Sequence, residues 1–88
     1  MVPNKNLVSE SDFLEIVANN QSIEGGCTIS SIKEMLAKKY PEITFTLLDV
    51  AKARTEAVTK GFVEQTGYVH TLTPLGQQQL ATVPVMAG

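Results

Sequence analysis

The sequence has one cysteine, one histidine and no tryptophan among its 88 residues. A single cysteine, Cys27, excludes an intramolecular disulfide and is typical of a protein in the reducing cytoplasm. One cysteine and one histidine cannot form a zinc site without carboxylates, and no metal-ligand spacing is present, so we expect no metal and no cofactor. Cys27 is predicted to be a small apolar filler and His70 a half-exposed side chain.

Positive charge is scarce as well. Seven lysine and arginine residues stand against nine acidic residues, which gives a formal net charge of −2. No lysine or arginine follows Lys60, and the basic excess lies in residues 33–60, which hold six basic and four acidic side chains. This balance excludes a broadly basic, histone-like protein.

Long apolar runs are also missing. None approaches the roughly 20 residues that a membrane span needs, and the first residues lack the apolar core of a signal peptide. The length and the 43% hydrophobic content predict one small domain over residues 9–80, with terminal tails at 1–8 and 81–88. Because no serine has a His–acid pair placed to activate it, we expect a binding protein and not an enzyme.

Apolar residues at helical spacing predict three helices in the first 61 residues. The first spans residues 9–21, and the second spans 27–41 and is ended by Pro41. The third and longest spans 44–61 and ends at Gly61, which can adopt the left-handed conformation. The candidate N-caps are Ser9 for the first helix, Thr28 or Ser30 for the second, and Thr44 or Thr46 for the third.

A hairpin and a short helix follow. Residues 62–65 and 68–72 are rich in β-formers, and the Thr66-Gly67 pair between them is a hairpin signal. Thr73 as N-cap and Pro74 at the first helical position predict a brief last helix. A short strand at residues 27–29 could extend the sheet from two strands to three. The fold class is therefore α+β and mainly helical.

This order of elements resembles a winged helix-turn-helix domain of the kind found in MarR- and PadR-type bacterial regulators. Gly61-Phe62-Val63 after the third helix and Leu72-Thr73-x-x-Gly76 at the last helix carry the resemblance, which covers about residues 9–80. It implies a prokaryotic or phage transcriptional regulator that binds double-stranded DNA as a dimer. The chain departs from those families at Arg54, where they usually have an apolar residue.

In the winged helix fold the third helix enters the major groove and the hairpin touches the backbone or the minor groove. Lys52 and Thr55 would read base edges, and Thr44 or Thr46 would reach a phosphate at the helix start. Because Asp49 and Glu56 share this face, a monomer should bind DNA weakly. The remaining candidate DNA-binding residues are Thr59, Lys60 and Lys39 on the helices, and Gln65 and Thr66 on the hairpin.

Leu47 and Leu48 widen the apolar arc of the third helix beyond what one core needs, and Arg54 lies in the middle of that arc. Because an unpaired buried guanidinium is costly, Arg54 must reach solvent or a carboxylate. Either the third helix is rotated relative to those of the similar families, or these three residues form an interface with another protein chain. The alternative function is therefore a winged helix module, an adaptor or inhibitor, that binds protein and not DNA.

Overall fold

The computed structural model describes residues 7–82, which form four helices and one two-stranded antiparallel sheet. The predicted mainly helical α+β class is confirmed. The outermost parts of the two predicted tails, residues 1–6 and 83–88, lie outside the described residues. The elements in chain order are α1 (Glu10–Asn20), α2 (Ile29–Lys39), α3 (Leu47–Thr59), β1 (Val63–Thr66), β2 (Val69–Leu72) and α4 (Pro74–Thr82).

Side-chain caps begin the first three helices. The Ser9 hydroxyl accepts a hydrogen bond from the Asp12 amide at 3.1 Å. Thr28 caps α2 and Thr46 caps α3, each in a reciprocal capping box with the residue three positions later. Each box satisfies two backbone amides at a helix start, which explains why Thr28 and Thr46 serve as caps while Ser30 and Thr44 do not.

α1 lies at the centre of the domain and contacts the other three helices and β2. The core takes apolar side chains from every element except α4, and Phe13 is the largest of the fully buried ones. The apolar pattern of the third helix favours Val50, Ala57 and Val58 as its core stripe. In the structure Val50 and Ala57 are buried together with Ala53, whereas Val58 is exposed. The buried residues are Val8, Phe13, Leu14, Ile16, Val17, Cys27, Ile32, Leu36, Phe45, Val50, Ala53, Ala57, Val63 and Leu72.

The hairpin follows α3 directly. Gly61 adopts a φ of 81°, and the Phe62 amide donates back to the Ala57 carbonyl at 2.9 Å, so α3 ends as predicted. Thr66 pairs with Val69, which places the turn at Gly67 and Tyr68, one residue later than the sequence predicted. The turn moves because Thr66 has a partner in β2.

The predicted third strand does not form, since the described residues hold a sheet of two strands. The segment before α2 nevertheless reaches β2, where the His70 amide donates to the Cys27 carbonyl at 2.8 Å. The Leu72 amide donates to Gln21 Oε1, also at 2.8 Å. Gly26 allows this approach, because a Cβ there would lie 2.7 Å from a methyl group of Val69.

α4 is held against the end of α3 by hydrogen bonds of Thr73 and by the close packing of Gly76. The Thr73 hydroxyl accepts from the Gly76 amide at 3.0 Å and donates to the Gly61 carbonyl. The Thr73 amide donates to the Phe62 carbonyl at 3.0 Å. Gly76 packs so closely on Phe62 that an added Cβ would overlap the Phe62 carbonyl oxygen.

We expect Gly76→Ala to lower the free energy of unfolding by about 1–3 kcal/mol, because the new methyl group would force α4 away from the Phe62 backbone. In a helix without this contact, alanine in place of glycine would stabilise by about 1 kcal/mol. Urea unfolding followed by circular dichroism measures the difference. Gln78→Ala, at an exposed position of the same helix, is the control and should change stability by less than about 0.5 kcal/mol. A Gly76→Ala protein as stable as the wild type would contradict this packing.

Candidate functional site

α3 turns one face to the core and the opposite face to solvent. Its buried residues are Val50, Ala53 and Ala57. Leu48, Lys52, Thr55 and Thr59 are all exposed, and their spacing of four, three and four residues aligns them on the outer side of the helix. We call these four residues the α3 stripe. It contains one cation, two hydroxyls, one apolar side chain and no carboxylate.

The start of α3 is occupied by its own cap. Thr46 Oγ1 accepts from the Asp49 amide at 3.1 Å, and Asp49 Oδ2 accepts from the Thr46 amide at 2.9 Å. The Asp49 carboxylate is therefore held at the helix end and not on the α3 stripe. Glu56 is exposed beside the stripe.

Two of the three lysines predicted to bind DNA are paired with carboxylates of α1. Lys39 Nζ lies 2.8 Å from Asp12 Oδ1 and 3.2 Å from Glu15 Oε1. Lys60 Nζ lies 3.0 Å from Glu10 Oε2. These pairs compensate both positive charges within the chain and place Lys39 and Lys60 beside α1, away from the α3 stripe.

Asp12 is the centre of the Lys39 cluster. Its other oxygen, Oδ2, accepts a 2.7 Å hydrogen bond from the Tyr40 hydroxyl. Partial burial alone would raise the pKa of Asp12, but the hydrogen bonds from Lys39 and Tyr40 together outweigh it and leave the pKa below its ordinary value. The same hydrogen bonds to Asp12 raise the pKa of Lys39 and of Tyr40.

Arg54 lies on the flank of α3 that faces the hairpin. Arg54 as a whole is half-buried, and its Nη1 donates to Gln65 Oε1 at 3.2 Å in an exposed hydrogen bond. Gln65 Nε2 in turn donates to the Gly67 carbonyl at 2.9 Å. The sequence predicted that Arg54 would reach solvent or a carboxylate; its hydrogen bond to the neutral Gln65 amide on β1 lies at the surface, so the solvent alternative agrees with the structure. This hydrogen bond joins α3 to the hairpin. Thr66, the last residue of β1, is exposed.

Leu47 and Leu48 lie outside the core, at 52% and 66% exposure. Tyr68, at the hairpin turn, is 83% exposed. Leu47 and Leu48 therefore face solvent in the first turn of α3, and the predicted interface with another chain needs exposed apolar side chains there.

A cleft of about 490 Å³ opens between the start of α2, the flank of α3 and the hairpin. We call it the α2–hairpin cleft. Its described lining has one cation and no carboxylate. The residues that line it are Thr28, Ile29, Ser30, Arg54, Gln65, Tyr68 and His70.

His70 lies at this cleft and is fully buried, with 0% exposure, so the prediction of a half-exposed side chain was wrong. Its Nδ1 is 2.9 Å from the Cys27 carbonyl oxygen. Because a carbonyl only accepts, Nδ1 carries the proton. The other ring nitrogen, Nε2, is buried and has no partner among the described residues. The alternation of side chains along β2 could have predicted this burial, since Leu72 is a core residue and His70 lies on the same face of the strand.

Cys27 is buried, as predicted for an apolar filler, and burial raises the pKa of its thiol. Within residues 7–82, no three His, Cys, Asp or Glu side chains are grouped so that they could hold a metal ion. No helix of that segment has both the length and the apolar character needed to span a bilayer.

In comparisons with known proteins, no family model, curated protein or solved structure matches the chain.

We expect Asp12→Asn to destabilise the protein by about 1 kcal/mol at neutral pH. Because the folded-state pKa of Asp12 is lowered, its contribution is complete above the unfolded value of about 3.9 and is lost as the pH falls through the folded value. The difference in unfolding free energy between wild type and variant should therefore shrink below about pH 4. Urea titrations across this pH range measure it, and Glu24→Gln, at an exposed loop carboxylate, is the control. A constant difference down to low pH would contradict the pairing.

Proposed function

We propose that the chain is a winged helix domain that binds double-stranded DNA as a dimer, with α3 in the major groove and the β1–β2 hairpin as the wing. The proposal fits a transcriptional regulator of a prokaryote or a phage. The α3 stripe is the observation that carries it. From Leu48 to Thr59 the stripe runs about 16 Å along the helix, it faces away from the core, and none of its four side chains is acidic.

The chemistry of the stripe suits base edges. Lys52 can donate to the acceptors of guanine, and the Thr55 hydroxyl can donate or accept. Leu48, exposed in the first turn of the helix, can contact the methyl group of thymine. A contact with thymine would explain why Leu48 is exposed and not packed in the core.

The hairpin would add polar contacts from Gln65 and Thr66. Lys39 and Lys60 are compensated by α1, so the proposal does not depend on them for phosphate binding. Since each neutralised phosphate needs a nearby cation, one chain should bind weakly and with a shallow dependence on salt. Two chains on adjacent half-sites would double the contacts, which is why we propose a dimer.

We expect the wild type to bind a mixed-sequence duplex at low salt, measured by fluorescence anisotropy. Lys52→Gln should weaken this binding about tenfold and lower the slope of log K against log salt by about 1. Lys60→Gln removes the same charge from the end of the same helix, where it is paired with Glu10, and should leave affinity nearly unchanged. Absence of binding at low salt, or equal effects of the two substitutions, would sink the proposal.

A protein partner is the second candidate function, because Leu47 and Leu48 are exposed on α3, and because Lys39 and Lys60 are already paired with carboxylates of α1. On this view the first turn of α3 is an interface with another chain. Exposed apolar side chains that lie together commonly mark such interfaces.

Leu48→Glu separates the two functions. Because Leu48 is exposed, we expect the variant to keep the wild-type thermal transition within a few degrees. If α3 is a protein interface, sedimentation velocity should show a smaller assembly for the variant, and the wild type should bind no duplex. If α3 reads DNA, the variant should lose duplex binding while its sedimentation stays that of the wild type. Leu75→Glu, at an exposed leucine of α4, is the matched control for added charge.

A further inference from the structure

We propose that Arg54 is a positioning residue for the hairpin. Through Gln65 it holds the turn between β1 and β2 at one place beside α3, so that Thr66 and Tyr68 meet DNA in a fixed position, and it does not touch the DNA itself. This role rests on the proposed function, because it requires that α3 and the hairpin bind the same duplex.

Two hydrogen bonds lead in sequence from α3 to the turn. Arg54 Nη1 donates to Gln65 Oε1 at 3.2 Å, and Gln65 Nε2 donates to the Gly67 carbonyl at 2.9 Å. Because a guanidinium only donates and a carbonyl only accepts, one orientation of the Gln65 amide satisfies both, with its oxygen towards Arg54 and its nitrogen towards Gly67. Arg54 therefore selects the orientation of the side chain that holds the turn.

The turn depends on such contacts for a defined position. Each strand of the hairpin has four residues, and a two-stranded hairpin is at most marginally stable alone. The hydrogen bonds of His70 and Leu72 hold β2, whereas the bond from Arg54 acts on β1, two residues before Gly67. Tyr68, in the turn, is 83% exposed. Since the turn projects into solvent, β1 is the strand through which α3 can fix it.

The place of Arg54 on α3 suits a link to the hairpin and not a contact with DNA. The α3 stripe, which carries Lys52 and Thr55, faces away from the core, whereas Arg54 is half-buried on the flank that faces the hairpin. Its charge strengthens the bond to the neutral Gln65 amide, since a hydrogen bond with one ionised partner is about twice as strong as a neutral one. An apolar side chain at this position could not form the bond.

The first test needs no DNA. In 15N relaxation of the wild type, the amides of residues 66–69 should have order parameters of about 0.8, and Arg54→Met should lower them to about 0.6 or less while the protein keeps its cooperative thermal transition. Gln65→Met, at an exposed position, breaks the same link and should loosen the turn equally. Glu64→Gln, at an exposed position of the same strand, is the control and should leave the turn rigid. A turn as rigid in Arg54→Met as in the wild type would overturn the proposal.

The second test is duplex binding by fluorescence anisotropy at several salt concentrations. We expect Arg54→Met to weaken binding about fivefold, since one hydrogen bond is lost. The slope of log K against log salt should not change, because no phosphate contact is lost. Lys52→Gln, on the α3 stripe, should lower that slope by about 1. An equal fall in the slope with Arg54→Met would show that Arg54 binds a phosphate, which would overturn the positioning role.

A double variant, Arg54→Met with Gln65→Met, shows whether Arg54 acts through Gln65. If it does, the double variant should bind DNA no more weakly than Gln65→Met alone, since both substitutions break one link. Losses that multiply would contradict the proposal. A wild type that binds no duplex would remove the proposed function together with this role. That result differs from failure of the link alone, which is a rigid turn in Arg54→Met when the wild type binds DNA.

Discussion

One carbonyl oxygen, that of Cys27, accepts hydrogen bonds from both the amide and the imidazole of His70, at 2.8 and 2.9 Å. A two-stranded hairpin is at most marginally stable alone. These two hydrogen bonds therefore fix the position of β2 relative to the segment that precedes α2. The Arg54–Gln65 hydrogen bond links β1 to α3. Gly76 allows α4 to pack closely on the backbone of Phe62. The hairpin held at these points forms one wall of the α2–hairpin cleft, whereas the outward face of α3 follows from the burial of Val50, Ala53 and Ala57 on its other side.

The acidic side chains of α1 form ion pairs with two of the few basic residues of the chain. Glu10, Asp12 and Glu15 take Lys60 and Lys39 into ion pairs. Such pairs at a surface contribute little stability, but they determine which cations remain available to a partner. Lys52 and Arg54 are left on the other sides of α3, one on the stripe and one at the cleft.

Local features of the fold could be predicted from the sequence. The cap Ser9 and the helix end at Gly61 depend on nearby residues, and the structure has them where the sequence placed them. For α3 the sequence left Thr44 and Thr46 open, and the structure has Thr46 as the cap. The hairpin was predicted with its turn one residue early, because the pairing of Thr66 with Val69 is decided across two strands.

The parts of the candidate site that sequence reasoning missed depend on distant contacts. Lys39 meets Asp12 across 27 positions, Lys60 meets Glu10 across 50, and His70 meets Cys27 across 43. No local pattern encodes such pairs. The burial of His70 was the exception, since its alternation with Leu72 was visible in the sequence.

The bond from Leu72 to Gln21 has a consequence for how copies of the chain can associate. The outward amides of β2 are those of His70 and Leu72, and both are already occupied, by Cys27 and by Gln21. A strand of another chain usually adds at an exposed sheet edge. At the β2 edge, Cys27 and Gln21 of the same chain already accept the hydrogen bonds that such a strand would need. Two copies therefore cannot join by extending the sheet across β2, and an assembly has to use other surfaces.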